Sequence, residues 1–458
     1  MKRHQLRSAA VLVAGAAVLT LTACSDDSGG GTGGDGAGDD PVVLTVGGMP
    51  TAEKAEQLAE WDRRVEEFET ANPDIDIESE ETAFDATTFN ALVAGGQLPT
   101  VFNVPFTEMR GLIARQQVTD LTDHLESSET LSAINPVVNE IVTDDERVYG
   151  IPWGAYTMGL IYNRQLFEQA GLDPDDPPST WDDVRTAAQA IEAATDAQGF
   201  AAMTTQNNGG WSLTTMSYGF GGTIVNEDGT EADVDNPATV EALEFLRTLR
   251  WDDNVMGSNF LLNAEDIARL FAGGGAGMYV GGADAYNTMV TNNGMDPAAF
   301  GVAPLPQQDD GIGTLSGGTV AIVKPDASED EIEAAVRWIE FQRFEKYTDE
   351  QIAKDNAAAS AADGIPVGKP ELPVVDRETY DQYLGWIADS INVPRENYTA
   401  YLESVDALPL VTEPAVKAQE LYALLDTVVQ AVLTREDADV EALLSDADAS
   451  AQTALDAG

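Results

Sequence analysis

Residues 149–181 read YGIPWGAYTMGLIYNRQLFEQAGLDPDDPPSTW, and their reading decides the fold. Tyr149, Trp153, Tyr156 and Tyr162 punctuate an extended run with small residues between them. Rings spaced in this way suit a surface that holds a flat polar ligand. Residues 160–162 follow as a short buried strand. Asn163 caps a helix that stops at Gly171, and Thr180 caps the next one, with Asp183 at its third position. The stretch is expected to carry the chain from one lobe to another beside a cleft. Its first part, 149–156, is the expected cleft wall and hinge entry, and Trp181 is expected to be structural.

Upstream, Val42-Val43-Leu44-Thr45-Val46 is a short apolar strand ending in Gly47-Gly48. Leu58, Trp61, Val65 and Phe68 recur at helical spacing, and Pro73 stops that helix by Asn72. Ile75-Asp76-Ile77 alternates as a second strand, so the unit reads βαβ, which predicts a parallel sheet. A helix near 87–94 and a third strand at 101–104 complete an α/β lobe within the first 150 residues. Downstream, Asn226-Glu227-Asp228-Gly229 predicts a hairpin turn, and Asn236-Pro237 starts a helix. A glycine cluster at 273–277 leads into a strand at 278–280, with further strands at 300–306 and 319–323. Ile332, Ala335, Val336 and Ile339 share one helical face, and Leu421, Leu424, Leu425, Val428 and Val432 share another in the closing helix. Residues 343–410 show no clear pattern.

The 458 residues are too many for one core and predict two lobes. With 24 Lys plus Arg against 79 Asp plus Glu, the formal net charge is −55. Nothing in that balance offsets phosphate repulsion, so nucleic acid and anionic membrane surfaces are poor partners. The carboxylates are scattered and no calcium-loop spacing occurs, so they read as a solvated exterior. Cys24 is the one cysteine, which rules out an internal disulfide and a thiolate metal site.

Lys2, Arg3 and Arg7 precede an apolar run from Ala9 to Leu21 that is shorter than the roughly 20 residues a bilayer span needs. Residues 1–23 therefore read as a secretory signal. Leu21-Thr22-Ala23-Cys24 resembles a bacterial lipobox, and Cys24 is the expected lipidation site, tethering the protein to the outer face of the cell membrane. Residues 25–40 hold seven glycines and five aspartates without a large apolar side chain, so 24–40 is the expected flexible leash.

Enzyme signatures are poorly served. No phosphate-cradling G-x-x-x-x-G-K-[ST] occurs, and the glycines at 273–277 run helix to strand, the reverse of a dinucleotide loop. Ser316 in TLSGG lacks the first glycine of a nucleophile elbow. A carboxylate pair of glycosidase type stays open as the alternative, since carboxylates need only meet in space. Trp153, Tyr156, Trp211, Tyr218, Tyr279 and Tyr286 sit beside glycines, polar residues or turn signals, where a ring can lie against a sugar face.

Read in order, Glu67-Phe68-Glu69 with Asn72-Pro73, Tyr149-Gly150-Ile151-Pro152-Trp153, Ile161-Tyr162-Asn163 with Phe167, Ala170-Gly171-Leu172 and Pro178-Ser179-Thr180-Trp181 form a set. It continues with Phe271-Ala272-Gly273 and Gly277-Met278, Pro304-Leu305-Pro306, Gly317-Gly318, and Ala334-Ala335 with Phe341. The set resembles the extracellular solute-binding proteins of carbohydrate ABC importers, the maltose-binding-like group, over nearly all of residues 41–458. The resemblance implies an α/β, two-lobed periplasmic-binding-protein-like fold of type II, each lobe a mostly parallel sheet flanked by helices and joined by hinge crossings. It implies an N-terminal lobe of 41–155 and about 304–345, and a C-terminal lobe of 156–303 and about 346–458. A monomer without catalysis, cofactor or metal is implied. It would hold a mono- or oligosaccharide or a polyol between the lobes and pass it to permease subunits. A binding protein for a non-sugar solute is a further alternative.

Placing the group's contact loops on this chain implies ligand contacts at Gly48, Met49, Asn103, Phe106, Trp153 and Tyr156 from the first lobe and crossing. Asn208, Trp211, Asp284 and Tyr286 are implied from the second, with Gly317 and Gly318 facing them. Two departures bear on the ligand. Pro99-Thr100 stands where many relatives have Pro-Asp, and Gly282-Ala283-Asp284 replaces a Gly-x-Trp platform with a carboxylate. The second favours a small, hydroxyl-rich solute over a long stacked oligosaccharide. No arginine or lysine falls at an implied contact, which argues against an anionic solute.

Overall fold

The crossing strand announced by residues 149–163 is the longest in the protein's described residues and belongs to two halves of one sheet. A computed structural model of the chain describes residues 41–85, 88–226, 228–405 and 407–457. The leader, Cys24 and the leash to residue 40 lie outside the described residues. The strands of the main sheet are β1 (Val42–Gly47), β2 (Ile75–Glu80), β3 (Val101–Pro105), β4 (Ile151–Asn163), β5 (Gln198–Phe200), β6 (Ala276–Gly282), β7 (Phe300–Pro304), β8 (Thr314–Val323) and β9 (Leu410–Thr412). They form a sheet in the order β2-β1-β3-β8-β4-β6-β5, with β9 beside β8 and β7 beside β4.

β1 lies parallel to β2 in the register Val42↔Ile75 and parallel to β3 through Val46↔Val101, as the βαβ reading expects. β8 then runs antiparallel to β3, from Val323↔Val101 to Thr319↔Pro105. Along β4 the partners change. Residues up to Thr157 pair with β8, whereas Met158 to Tyr162 pair with β6 and Gly159 to Asn163 with β7. Gly159 permits the second arrangement, because a Cβ there would stand 2.6 Å from the carbonyl oxygen of Ala303. The predicted strand at 319–323 proves to be only the end of β8. Its preceding residues are extended too, and Ser316 donates its hydroxyl to the Tyr156 carbonyl at 3.0 Å, an ordinary strand position rather than an elbow.

Local chemistry sets the helix ends. α1 (Ala55–Ala71) stops at Asn72, before Pro73. α2 (Phe106–Ala114) starts directly from β3. Asn163 accepts from the Leu166 N–H, and Gly171 takes the left-handed conformation at φ 75°. α3 (Trp181–Ala194) opens on a reciprocal Thr180–Asp183 capping box. α4 (Asn208–Phe220) is almost wholly buried, and α5 (Pro237–Arg247) begins with Asn236 accepting from Thr239. The expected hairpin around Gly229 is reduced to a bridge between Val225 and Ala232. α6 (Glu329–Arg343), α7 (Ala418–Thr434) and α8 (Val440–Asp456) follow. The chain thus closes on α8, not on the helix of Leu421 to Val432. The buried α8 residues Val440, Leu444, Ala447, Ala451 and Leu455 include two alanines, too small to mark the face in sequence.

One core gathers Leu44, Val46 and Phe68 with Ala335, Trp338 and Ile339, and Phe68 meets Trp338 edge-on at 5.1 Å. Phe344 joins this core, and so do Tyr347, Val375 and Tyr380, which the expected boundary near 346 put in the C-terminal lobe. Asn135 secures them by donating to the Pro373 carbonyl at 3.0 Å. A second core packs Leu160, Val184, Ile191 and Met278 against Leu425 and Val428 of α7. Trp181 is buried in it, stacked on Phe220 at 5.1 Å. A third runs beneath the crossing, joining Phe102, Val104 and Phe106 to Ile161, Phe300 and Tyr398.

Candidate functional site

The partner change along β4 positions two groups of side chains. The first lies at the ends of β1 and β3. Gly48 turns at φ 91° and donates its N–H to Thr82, while the Met49 N–H donates to Glu80. A Cβ on Gly48 would stand 3.7 Å from the Asn103 side-chain nitrogen. Asn103 Oδ1 accepts the Trp153 indole N–H at 2.9 Å. The guanidinium carbon of Arg343, the last residue of α6, stands 3.7 Å from the centroid of the Trp153 ring. A cation therefore occupies one face of an implied contact, contrary to the expectation that none would. Burial pushes the Arg343 guanidinium down to about 10, so it stays charged at neutral pH.

The second group centres on Glu413, just past β9. Its Oε1 accepts from the Tyr156 hydroxyl at 3.0 Å and the Trp211 indole N–H at 3.2 Å. Its Oε2 accepts from the Tyr422 hydroxyl at 3.2 Å. One carboxylate thus holds three rings, from β4, α4 and α7, in fixed orientations. Burial, followed by the carboxylate of Glu413 and then that of Asp284, pushes the Tyr156 phenol well above its ordinary value, so it remains a donor. Asp284 itself is exposed, two residues beyond the end of β6.

The remaining implied contacts have other roles. Tyr286 is only 2% exposed and meets Phe300 edge-on at 5.4 Å, so it is a core side chain rather than a cleft wall. Asn208 donates to the carbonyls of Thr205 and Gln206 at the start of α4. Gly317 and Gly318 make room for rings. A Cβ on Gly318 would meet Phe106 Cζ at 2.5 Å and the Gly154 carbonyl, and one on Gly317 would strike the Tyr156 hydroxyl.

A cavity of about 660 Å³ opens beside Glu413, bounded by Phe106, Arg110 and Ile141 on one side and by Tyr218, Asn226 and Thr412 on the other. Its size falls within the range of small-molecule sites. Among the implied contacts only Phe106 lines it directly; Tyr156 and Trp211 reach it through Glu413. Glu413 carries no sequence signal, being one of 79 acidic residues. Arg343 reads in sequence as an ordinary helix-end cation.

The profile of the family described as bacterial extracellular solute-binding proteins matches residues 51–346. The chain belongs to that family. Among relatives of solute-binding type, the maltotriose-binding protein of Pyrococcus abyssi is 22% identical over 250 residues, 55% of this chain and 51% of the relative. The chain spans about half the length of the curated relatives it matches. The cyclic alpha-maltosyl-1,6-maltose binding protein of Arthrobacter globiformis superposes with a TM-score of 0.67 at 22% identity, over 91% of this chain and 100% of that one. The sugar-binding protein MalE of Xanthomonas citri gives 0.68 at 18% identity, over 91% and 98%. These likenesses establish the two-lobed type II fold of solute-binding proteins. The family and these neighbours are binding proteins, not enzymes.

Proposed function

We propose that this chain is the capture component of an ABC importer, binding a sugar or polyol between its lobes without catalysis and presenting it to permease subunits. The carrying observation is the Glu413 cluster, which holds Tyr156 of the crossing strand and Trp211 of α4 on one carboxylate beside the 660 Å³ cavity. Rings held in place by a shared acceptor lose no rotamer freedom when a ligand arrives, so the surface is preorganised. Lobe closure turns on β4 where its partners change between Thr157 and Met158. The protein acts as a monomer outside the cytoplasm, anchored through lipidated Cys24.

A thermal-shift screen of mono- and disaccharides and polyols tests this reading. At least one saturable stabilisation is expected, weakened by Trp211→Ala. The recovered solute should be chemically intact, since turnover would make the protein an enzyme. Silence across the whole panel removes the sugar assignment. For the anchor, Cys24→Ala should release the protein from the membrane fraction into the medium.

A further inference from the structure

Unlike α3 and α5, which open on Thr180 and Asn236, α4 begins without a side-chain cap of its own. Asn207, just before its first turn, is left-handed at φ 66°, and Gln206 is left-handed at φ 60°. The Asn207 side chain donates to Gln419 of α7 at 3.0 Å rather than serving the helix. Two consecutive non-glycine residues in that region persist only where their surroundings over-determine them. Here the surroundings are α7. The buried carboxylate of Asp426 accepts the Asn207 N–H on one oxygen and the Gly210 N–H on the other, at 2.8 Å each. Gln430 donates to the Thr204 carbonyl at 2.6 Å. Gln419, Tyr422, Asp426 and Gln430 follow one another at helical three- and four-residue spacing, so they form one polar stripe of α7. The glycines of α4 admit this stripe. A Cβ on Gly210 would lie 2.2 Å from the Tyr422 carbonyl oxygen, and one on Gly209 would lie 2.8 Å from Asp426 Oδ1.

Trp211 is the next residue after Gly210. Tyr422, one turn from Asp426 on the same stripe, donates to Glu413 Oε2, while Trp211 donates to Oε1. α7 thus grips both sides of one contact: the backbone that carries the indole and the carboxylate that receives it. We propose that Asp426 is a positioning residue for solute capture, setting the entry turn of α4 so that the Trp211 indole meets Glu413 beside the cavity. The proposal rests on the solute-binding reading. A carboxylate suits the task because both oxygens accept and its charge lies at the positive end of α4. Asparagine keeps one of those acceptors.

Heteronuclear NMR of the indole N–H groups of the full chain tests the proposal without a solute. The Trp211 and Trp153 signals are assigned by their loss in Trp211→Phe and Trp153→Phe. In Asp426→Leu the Trp211 N–H should exchange with solvent about tenfold faster, whereas that of Trp153, bonded to Asn103, should not change. Asp426→Asn should lie between the parent and Asp426→Leu, and it decides the matter if the leucine variant does not fold. Leu444→Ala, which loosens the same core from α8, should lower stability and leave the Trp211 signal in place. An unchanged Trp211 signal in Asp426→Asn, or an equal change in Leu444→Ala, overturns the proposal. Calorimetry with glucose, maltose and glycerol adds the binding arm. Whichever the parent binds should bind Asp426→Asn about tenfold more weakly and Leu444→Ala as tightly as the parent. Full affinity in Asp426→Asn overturns the proposal and leaves the sugar reading intact. If the parent binds none of the three, the sugar reading falls, while the indole response still decides whether Asp426 sets Trp211.

Discussion

The indole N–H of Trp211 and the phenol of Tyr156 donate to the same oxygen of Glu413, at 3.2 and 3.0 Å. Two rings from different elements are thereby set by one carboxylate. Removing the carboxylate leaves three polar ring groups without a partner, since Tyr422 donates to the second oxygen. Glu413→Ala should lower stability by about 1–3 kcal/mol in urea unfolding and weaken solute binding in calorimetry. Glu413→Gln keeps one acceptor oxygen and should lie between the two. A full-affinity Glu413→Ala variant would show that the cluster is not the binding surface.

Gly318 of β8, in register with Ala155, and Gly154 of β4, in register with Thr319, are diagonal neighbours that differ in the space around them. A Cβ at Gly318 meets Phe106 and backbone, whereas one at Gly154 meets nothing within 4 Å. Gly318→Ala should cost several kcal/mol by driving the strands apart, and Gly154→Ala should stay within about 0.5 kcal/mol of the parent. Thermal unfolding of the two variants side by side gives the comparison.

Trp181 separates stability from binding. It is 1% exposed and stacks on Phe220, so Trp181→Ala should cost about 3–5 kcal/mol. Its indole nitrogen is buried without a hydrogen-bond partner, so Trp181→Phe loses volume but no bond and should cost much less. Solute affinity should be unchanged in the folded Phe variant.

Asp426 of α7 is 7% exposed and accepts the backbone N–H groups of Asn207 and Gly210 at 2.8 Å each. Burial raises its pKa, outweighing these bonds. A carboxyl whose folded pKa is raised adds stability below its unfolded value, near 3.9, and loses that contribution as pH rises through the folded value. Asp426→Asn removes the titration. The difference in melting temperature, parent minus variant, should therefore grow as pH falls from neutrality towards about 4. A difference that shrinks over that window would mean the helix N–H groups dominate.

The sequence by itself determined the α/β class, the βαβ start, the caps at Asn163, Thr180 and Asn236, and the crossing strand. All of these depend on neighbours a few residues apart, through period, cap chemistry or proline and glycine geometry. The family resemblance put Asn103, Trp153, Tyr156 and Trp211 in one implied contact set, without pairing any of them. Only the tertiary structure decided that Tyr286 is core, that Val375 and Tyr380 pack against the β1 side, that Glu413 gathers Tyr156 and Trp211, and that Arg343 lies over Trp153. A carboxylate among 79, or an arginine at a helix end, acquires its role from what folding brings beside it. Glu413 is separated from Tyr156 and Trp211 by more than 200 residues, and no local pattern records a meeting over that distance.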